Sequence, residues 1–424
     1  MSLSRRDLLR GVAGIGAAAG GSALLSGCAG SRKPGTLLYG FYGNQQEIDI
    51  YQRVADLYRK RNPHVKMSYT FADPGGFFQK LPLLFRSGSA PDVFMAAESW
   101  VSGLSSLGGY ADLSSDMRRD GLSESTWLPG AINAGKVGKK ILALPVVVYP
   151  KGIAYNETLF RKNHVPTPTA SWTQADFLRA ARAVQAGSGA QGAWGMNNSF
   201  GTTQPYDLVT LYGGMIFDFL TRKMTATSPD VVRAVQFVGD LITKYKVTPN
   251  AAENQALLAG FPTGSFGMDI FAGYDTQSWT DEIGDKFAWN IAPYPVEWRG
   301  TYQNNNVAIF DGTPNRAAAW DLAKFIATDP EAQKIQGEFA TPALAGAARG
   351  WVQTLPKEYR RLHWQPLIDR LNQQGVAYQG GEFNKVWDLM GQKVQAVEDQ
   401  GASVRSAMDD VQRRGAAILS TQQG

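Results

Sequence analysis

The chain has 424 residues, 44% apolar and 19% charged, enough for two or three domains with real cores and unlike a disordered or fibrous chain. Its formal charge is +5, but residues 1–27 hold Arg5, Arg6, Arg10 and Asp7, so the remainder carries 39 basic against 36 acidic residues. A body this near neutral lacks the dense Lys/Arg that phosphate neutralisation needs and argues against nucleic acid, while a single cysteine, Cys28, rules out an intrachain disulfide and a cysteine-based zinc site.

Residues 1–27 read as an export signal. Ser4-Arg5-Arg6-Asp7-Leu8-Leu9 resembles the twin-arginine motif. The stretch Gly11–Leu25 that follows is weakly apolar and too short for a comfortable span, which needs roughly 20 residues. Leu25-Ser26-Gly27-Cys28 looks like a bacterial lipobox, in which the thiol is lipidated and cleavage leaves Cys28 as the new N-terminus. The competing reading, a structural cysteine after a plain signal, leaves unexplained why the sole cysteine falls there. Ala29–Gly35 then forms a polar tether of 28–35 between membrane and domain.

Beyond the tether, 36–39 predicts a strand, 46–61 a helix closed by Asn62-Pro63, and 65–71 a second strand. That order suggests a parallel α/β sheet. A helix over 78–86 and a strand over 91–97 follow. The stretch 141–155 is extended and broken by Pro145 and Pro150. A helix over 173–185 opens on Thr173 three residues before Asp176, a capping pattern. Another, over 231–245, has Ser228 as N-cap, Pro229 as its first residue and Val231, Val235, Val238, Ile242 and Tyr245 on one face. A strand over 287–294, a helix over 316–327 and a mostly helical 357–423 complete the pattern.

Gly187-Ser188-Gly189-Ala190-Gln191-Gly192 satisfies G-x-G-x-x-G, but it follows a helix, where the dinucleotide fingerprint must follow a strand. Gly264-Ser265-Phe266-Gly267 lacks the first glycine of a nucleophile elbow, since Thr263 stands there. His64, His164 and His363 are far apart and have no ligand-spaced partner. Asp409-Asp410 sits in a charge-mixed helical stretch and reads as a solvated face. No enzyme, metal or cofactor is predicted. What remains are four polar–aromatic loops placed at strand ends: Phe41-Tyr42-Gly43-Asn44-Gln45, Glu98-Ser99-Trp100, Phe271-Ala272-Gly273-Tyr274-Asp275 and Tyr302-Gln303-Asn304-Asn305-Asn306. Open α/β sheets bind ligands beyond the carboxyl ends of their strands. Flat aromatics with neutral amides suit a sugar, which has apolar C–H faces and a rim of hydroxyls. The plain alternative is that the aromatics are core and the amides are turn residues.

Several segments in order resemble the family 1 extracellular solute-binding proteins of bacterial ABC importers, relatives of maltose-binding protein. They are Ser87–Val93 with its Pro91-Asp92-Val93, then Leu144-Pro145 through Tyr155-Asn156 and Leu159-Phe160, and then Pro168 with Ser171-Trp172-Thr173…Phe177. Phe261-Pro262-Thr263-Gly264…Met268, Asn315-Arg316…Trp320…Phe325-Ile326 and Pro330–Gln333 follow, so the match runs over 36–420. The resemblance implies the two-lobe type II periplasmic-binding fold, α/β in class, with an interlobe hinge and cleft. The implied lobes are 36–147 plus 296–340 and 148–295 plus 341–424. Crossings are implied near Val147–Tyr149, Ala292–Pro295 and Glu338–Pro342, and ligand would close the lobes.

By the same resemblance, Asn44 and Gln45 supply polar contacts after the first strand, and Glu98, Ser99 and Trp100 follow the Pro-Asp-Val strand. Tyr149 lies at the first crossing, Thr203 and Tyr206 precede Gly213-Gly214, Tyr274 stands where relatives stack a tryptophan on sugar, and Trp387 lies near another such aromatic. Where many relatives have Gly-Gly, this chain has Gln303, Asn304 and Asn305, consistent with a smaller or more polar ligand. The implied protein is a monomeric carbohydrate-binding lipoprotein, exported and anchored through Cys28 to the outer face of the cytoplasmic membrane. It serves the ABC permease and does no chemistry. Two alternatives stay open: the same fold binding a glycerophosphodiester or another polar metabolite, with Arg299 the nearest candidate for a phosphate, and a secreted glycoside hydrolase.

Overall fold

A computed structural model describes residues 35–187, 193–199, 205–218, 223–250, 252–254, 260–376 and 383–420. Thr203, Cys28, the export segment and the interior of the Gly187–Gly192 loop lie outside the described residues.

The first strand, Leu37–Tyr42, pairs in parallel with Met67–Ala72 and with Val93–Ala97. The helix between the first two strands, Gln45–Arg61, buries Ile48, Tyr51, Val54 and Tyr58, the helix-face spacing of the sequence. The next helix, Pro74–Arg86, begins four residues before its expected start. Gly75 and Gly76 are poor helix formers, but Asp73 caps the first turn by accepting from Gly76 N at 2.8 Å. Asp92 explains the Pro-Asp-Val segment. It is fully buried and accepts from Leu38 N at 2.8 Å and from the Thr313 hydroxyl, tying the first strand to a distant turn. Gly40 is glycine for a steric reason, since a Cβ there would lie 2.6 Å from Pro91 Cγ.

The rest of this sheet is antiparallel, except that 375–376 runs parallel to its partner strand. Its order is Thr341–Pro342, Ala143–Tyr149, Thr301–Ile309, Val93–Ala97, Leu37–Tyr42, Met67–Ala72, with 375–376 alongside Thr301-Tyr302. The sheet is therefore mixed rather than wholly parallel. One expected loop is also corrected: Tyr302–Asn306 lies inside the strand Thr301–Ile309. Three successive asparagines read as a turn because asparagine is depleted in strands. Here burial and side-chain hydrogen bonds hold them in the ladder.

A second sheet has the order Trp289–Ala292, Lys151–Asn156, Phe266–Ala272, Trp194–Met196 and is antiparallel except for its last pair. The chain passes from the first sheet to the second across Pro150, which lacks the N–H to continue a ladder. It comes back between Ala292 and Thr301, and after Pro342 runs into short helices. Helices Gln174–Gly187, Pro229–Thr243, Phe383–Gln400 and Val404–Ser420 pack with the second sheet. Thr173 and Asp176 form the expected reciprocal cap, Thr173 N donating to Asp176 at 2.8 Å and Asp176 N to Thr173 Oγ1 at 3.2 Å. Ser228 does precede the helix, but its hydroxyl is buried and makes no cap bond.

Two apolar cores result. One fills the first sheet and continues through Phe261, Phe271, Trp289 and Trp364 beneath the second. The other lies among the second sheet's helices, around Phe177, Val235, Met268, Met390 and Met408. The first core's continuity makes the junction of the sheets a packed seam, and a cavity opens in that seam.

Candidate functional site

The cavity holds about 320 Å³ and is lined from both sheets. Tyr42, Asn44 and Glu47 come from the end of the first strand and the first turn of its helix. Tyr149 comes from the last residue of its strand, Gly273 and Tyr274 from the turn after Phe266–Ala272, and Gln277 from the helix Thr276–Ile283 that follows. Asn305 projects from the middle of Thr301–Ile309, with Glu338, Phe339, Trp351, Tyr359 and Trp364 closing the far wall.

The floor is a chain of hydrogen bonds. Tyr42 Oη donates to Asn305 Oδ1 at 2.7 Å, and Asn305 Nδ2 donates to Tyr51 Oη at 3.0 Å and to Tyr149 Oη at 3.4 Å. The pairing with Ala143–Tyr149 shifts register between Asn305 and Asn306, and such a bulge re-aims side chains. Tyr149 hydrogen-bonds Glu47, whose Oε2 also accepts from Asn44 N at 2.9 Å. Burial pushes the Glu47 carboxyl above the usual range, partly offset by these bonds. Tyr149 meets Tyr274 edge-on at 5.7 Å and Phe339 at 6.2 Å. Tyr274 is 44% exposed while Tyr149 is 6%, so Tyr274 is the accessible ring and Tyr149 is largely covered.

The sequence-derived residues separate on this geometry. Asn44, Tyr149 and Tyr274 line the cavity. Gln45 is exposed beside it and bonds Asp49 at 2.7 Å. Trp100 is packed under Tyr42 at 4.3 Å and against Phe78 at 5.0 Å. Ser99 is buried with it. Glu98 is 3% exposed and accepts from Asn304 N at 3.1 Å, and burial pushes its carboxyl up to about 7. Asn304 is fully buried and donates to Ala131 O at 3.2 Å; Gln303 sits opposite Tyr149 in the ladder.

A second polar group lies deeper in the seam. Lys151 Nζ pairs with Asp207 Oδ2 at 2.7 Å, both side chains wholly buried, and Thr301 donates to the other Asp207 oxygen. Tyr206 covers this pair, its ring centroid 5.3 Å from Lys151 Nζ, and meets Trp387 edge-on at 6.1 Å. Neither Tyr206 nor Trp387 lines the cavity. Arg299 is exposed and borders a separate crevice with Lys151 and Arg370.

Sequence reasoning passed over Glu47, Phe339, Trp351, Tyr359 and Trp364, and it placed Asn305 in a loop rather than in a strand. Glu47 had a readable signal, the Asn44…Glu47 capping box. Asn305 lay in a flagged polar–aromatic segment, but its aim depends on the bulge, which the sequence does not show. The three histidines are exposed in three separate places. Among the described residues no group of three His, Cys, Asp or Glu side chains could hold a metal, and no helix is long and apolar enough to cross a membrane.

Comparison with known proteins agrees with this architecture. The sugar-binding protein MalE of Xanthomonas citri superposes with a TM-score of 0.76 at 15% identity, over 92% of this chain and 98% of that one. An ABC substrate-binding protein of Listeria monocytogenes, solved in complex with cycloalternan, gives a TM-score of 0.70 at 22% identity, over 92% and 98%. The two-lobe binding-protein fold is thus shared. In sequence, the maltotriose-binding protein of Pyrococcus abyssi is 22% identical over 296 residues, 68% of this chain; the match spans only 61% of that relative's length. Residues 42–334 match the bacterial extracellular solute-binding proteins, and this chain belongs to that family.

Proposed function

We propose that the protein is the capture subunit of an ABC importer, closing two lobes on a carbohydrate and handing it to the membrane permease without chemistry of its own. The observation that carries this reading is the cavity itself: aromatic rings, one of them well exposed, over a floor of tyrosine, asparagine and glutamate. Rings take the apolar faces of a sugar, and the floor takes its hydroxyls. The names of the relatives point the same way, to sugars and oligosaccharides. A phosphodiester is not favoured, because among the described residues no lysine, arginine or histidine lines the cavity. The lobes divide at Pro150, between Ala292 and Thr301, and after Pro342. Export uses the twin-arginine-like segment, and Cys28 carries the lipid that holds the protein at the outer face of the cytoplasmic membrane, as a monomer.

A thermal-shift screen against a panel of sugars and glycerophosphodiesters tests the ligand class. A ligand at 100 times its dissociation constant stabilises by about 2.7 kcal/mol. Shifts with sugars alone support the reading, and shifts with phosphodiesters alone overturn it. For the anchor, Cys28→Ala should release the protein from membranes or leave unprocessed precursor; a processed form that stays in the membrane would sink the lipobox reading.

A further inference from the structure

The cavity's charges are one-sided. Its lining, among the described residues, holds two carboxylates, Glu47 and Glu338, and no cationic side chain. Glu338 is neutralised from outside by Arg53, two bonds of 2.6 and 2.7 Å. Glu47 has no such partner among the described residues: its neighbours are the Asn44 backbone N–H and the phenols of Tyr149 and Tyr51. Its position is built rather than incidental. The capping box fixes the side chain from one side, and a Cβ on Gly43 would lie 2.5 Å from Glu47 Cβ.

The hydrogen-bond chain of the floor runs toward this carboxylate. Tyr42 donates its proton to Asn305, and Tyr149 donates its own to Glu47. The ionised end of the chain can only accept. A ligand must therefore bring donors, and a hydroxyl would leave the charge uncompensated beside aromatic rings. An ammonium group brings three donors and the missing positive charge, and it is attracted to ring faces. A carboxylate within a wall of tyrosines and tryptophans is the chemistry that receives protonated amines.

We infer that the ligand of this cavity is a carbohydrate bearing a protonated amine, with its ammonium group held at Glu47 between Tyr149 and Tyr274. This rests on the reading of the cavity as a sugar site. Burial already raises the Glu47 carboxyl, a cost that a cation beside it would relieve.

The test compares matched pairs by titration calorimetry at about pH 6.5, below the usual pKa of an amine. The pairs are glucosamine with glucose, galactosamine with galactose, and the β-1,4 glucosamine disaccharide with cellobiose, each with the exported, mature protein. At least one aminated sugar should bind tenfold or more tighter than its hydroxyl parent, about 1.4 kcal/mol. Glu47→Gln keeps an acceptor for Asn44 N, and should bring that sugar down to the level of its parent. The wild-type comparison stands whether or not the variant folds. Parents that bind as well as or better than their amines overturn the inference and leave the sugar reading intact. A preference that survives in a folded Glu47→Gln protein also overturns it. If neither member of any pair binds, the inference is overturned, and the sugar reading falls with it only where the sugar panel also gives no shift.

Discussion

The floor of the cavity and the Lys151–Asp207 pair both sit where the two sheets meet, yet they handle polarity in opposite ways. Lys151 and Asp207 are sealed from solvent and satisfy each other, with Thr301 closing the second carboxylate oxygen. Thr301 opens a strand of the first sheet and Lys151 a strand of the second, so this pair works as a clasp across the seam. The floor uses its donors internally and leaves an accepting carboxylate, Glu47, facing an open space. Both regions are rich in charged and aromatic residues, so composition does not tell them apart. What separates them is whether each polar atom already has a partner. A satisfied group stabilises the fold, and an unmatched one invites a ligand.

The largest effect is expected from breaking the clasp. Asp207→Ala would leave Lys151 charged, buried and unpaired, which typically costs about 3–5 kcal/mol. Denaturant melts should show that loss even without ligand; a variant as stable as the wild type would mean the pair is not buried in solution.

Glu98 offers a pH test of the same seam. Its folded pKa of about 7 lies above the ordinary value of 4.5, so the folded state keeps a proton that the unfolded chain releases. Its stabilising contribution is full below pH 4.5 and is lost as pH rises through 7. Glu98→Gln mimics the protonated form and should raise stability at pH 8 by up to about 3 kcal/mol, given 1.36 kcal/mol per unit. Some slope should survive, because burial also raises Asp269, Asp275 and Glu398, to about 6, 7 and 7. A pH profile left unaltered by the Glu98→Gln substitution would show that Glu98 is solvated.

On the cavity side the effect should fall on binding and spare folding. Tyr274→Ala should weaken sugar binding about ten- to hundredfold, or about 1–3 kcal/mol by analogy with base–aromatic stacking. Tyr274→Phe should stay within about 1 kcal/mol, the net value of one neutral hydrogen bond. Unchanged affinity together with a large drop in melting temperature would assign Tyr274 to the core. The smallest effect is expected at Arg53–Glu338, half exposed on both sides. Arg53→Gln should cost less than about 1 kcal/mol in stability.

Much of the architecture was legible before any coordinates. The helix Gln45–Arg61 announced itself through its apolar spacing, and the Thr173…Asp176 cap through its residues. The site was legible in part. Tyr274 was found because it follows a strand, where open sheets place ligands, and Tyr149 because the family resemblance puts it at a crossing between the lobes. Trp100 lies in an equally suggestive place, yet it packs beneath Tyr42. Local sequence does not state which way a side chain faces.

By itself the sequence determined the opening strand–helix–strand order, the Thr173…Asp176 cap and the near-neutral charge, since each follows from periodicity, backbone preference or counting. Only the tertiary structure decided that Tyr302–Asn306 is a buried strand, that a bulge aims Asn305 at Tyr42 and Tyr149, and that Lys151 finds Asp207 while Glu47 finds no cation among the described residues. The physical reason is common to all three. Register, burial and the pairing of charges distant in sequence depend on which surfaces meet, and a chain meets itself only when it folds.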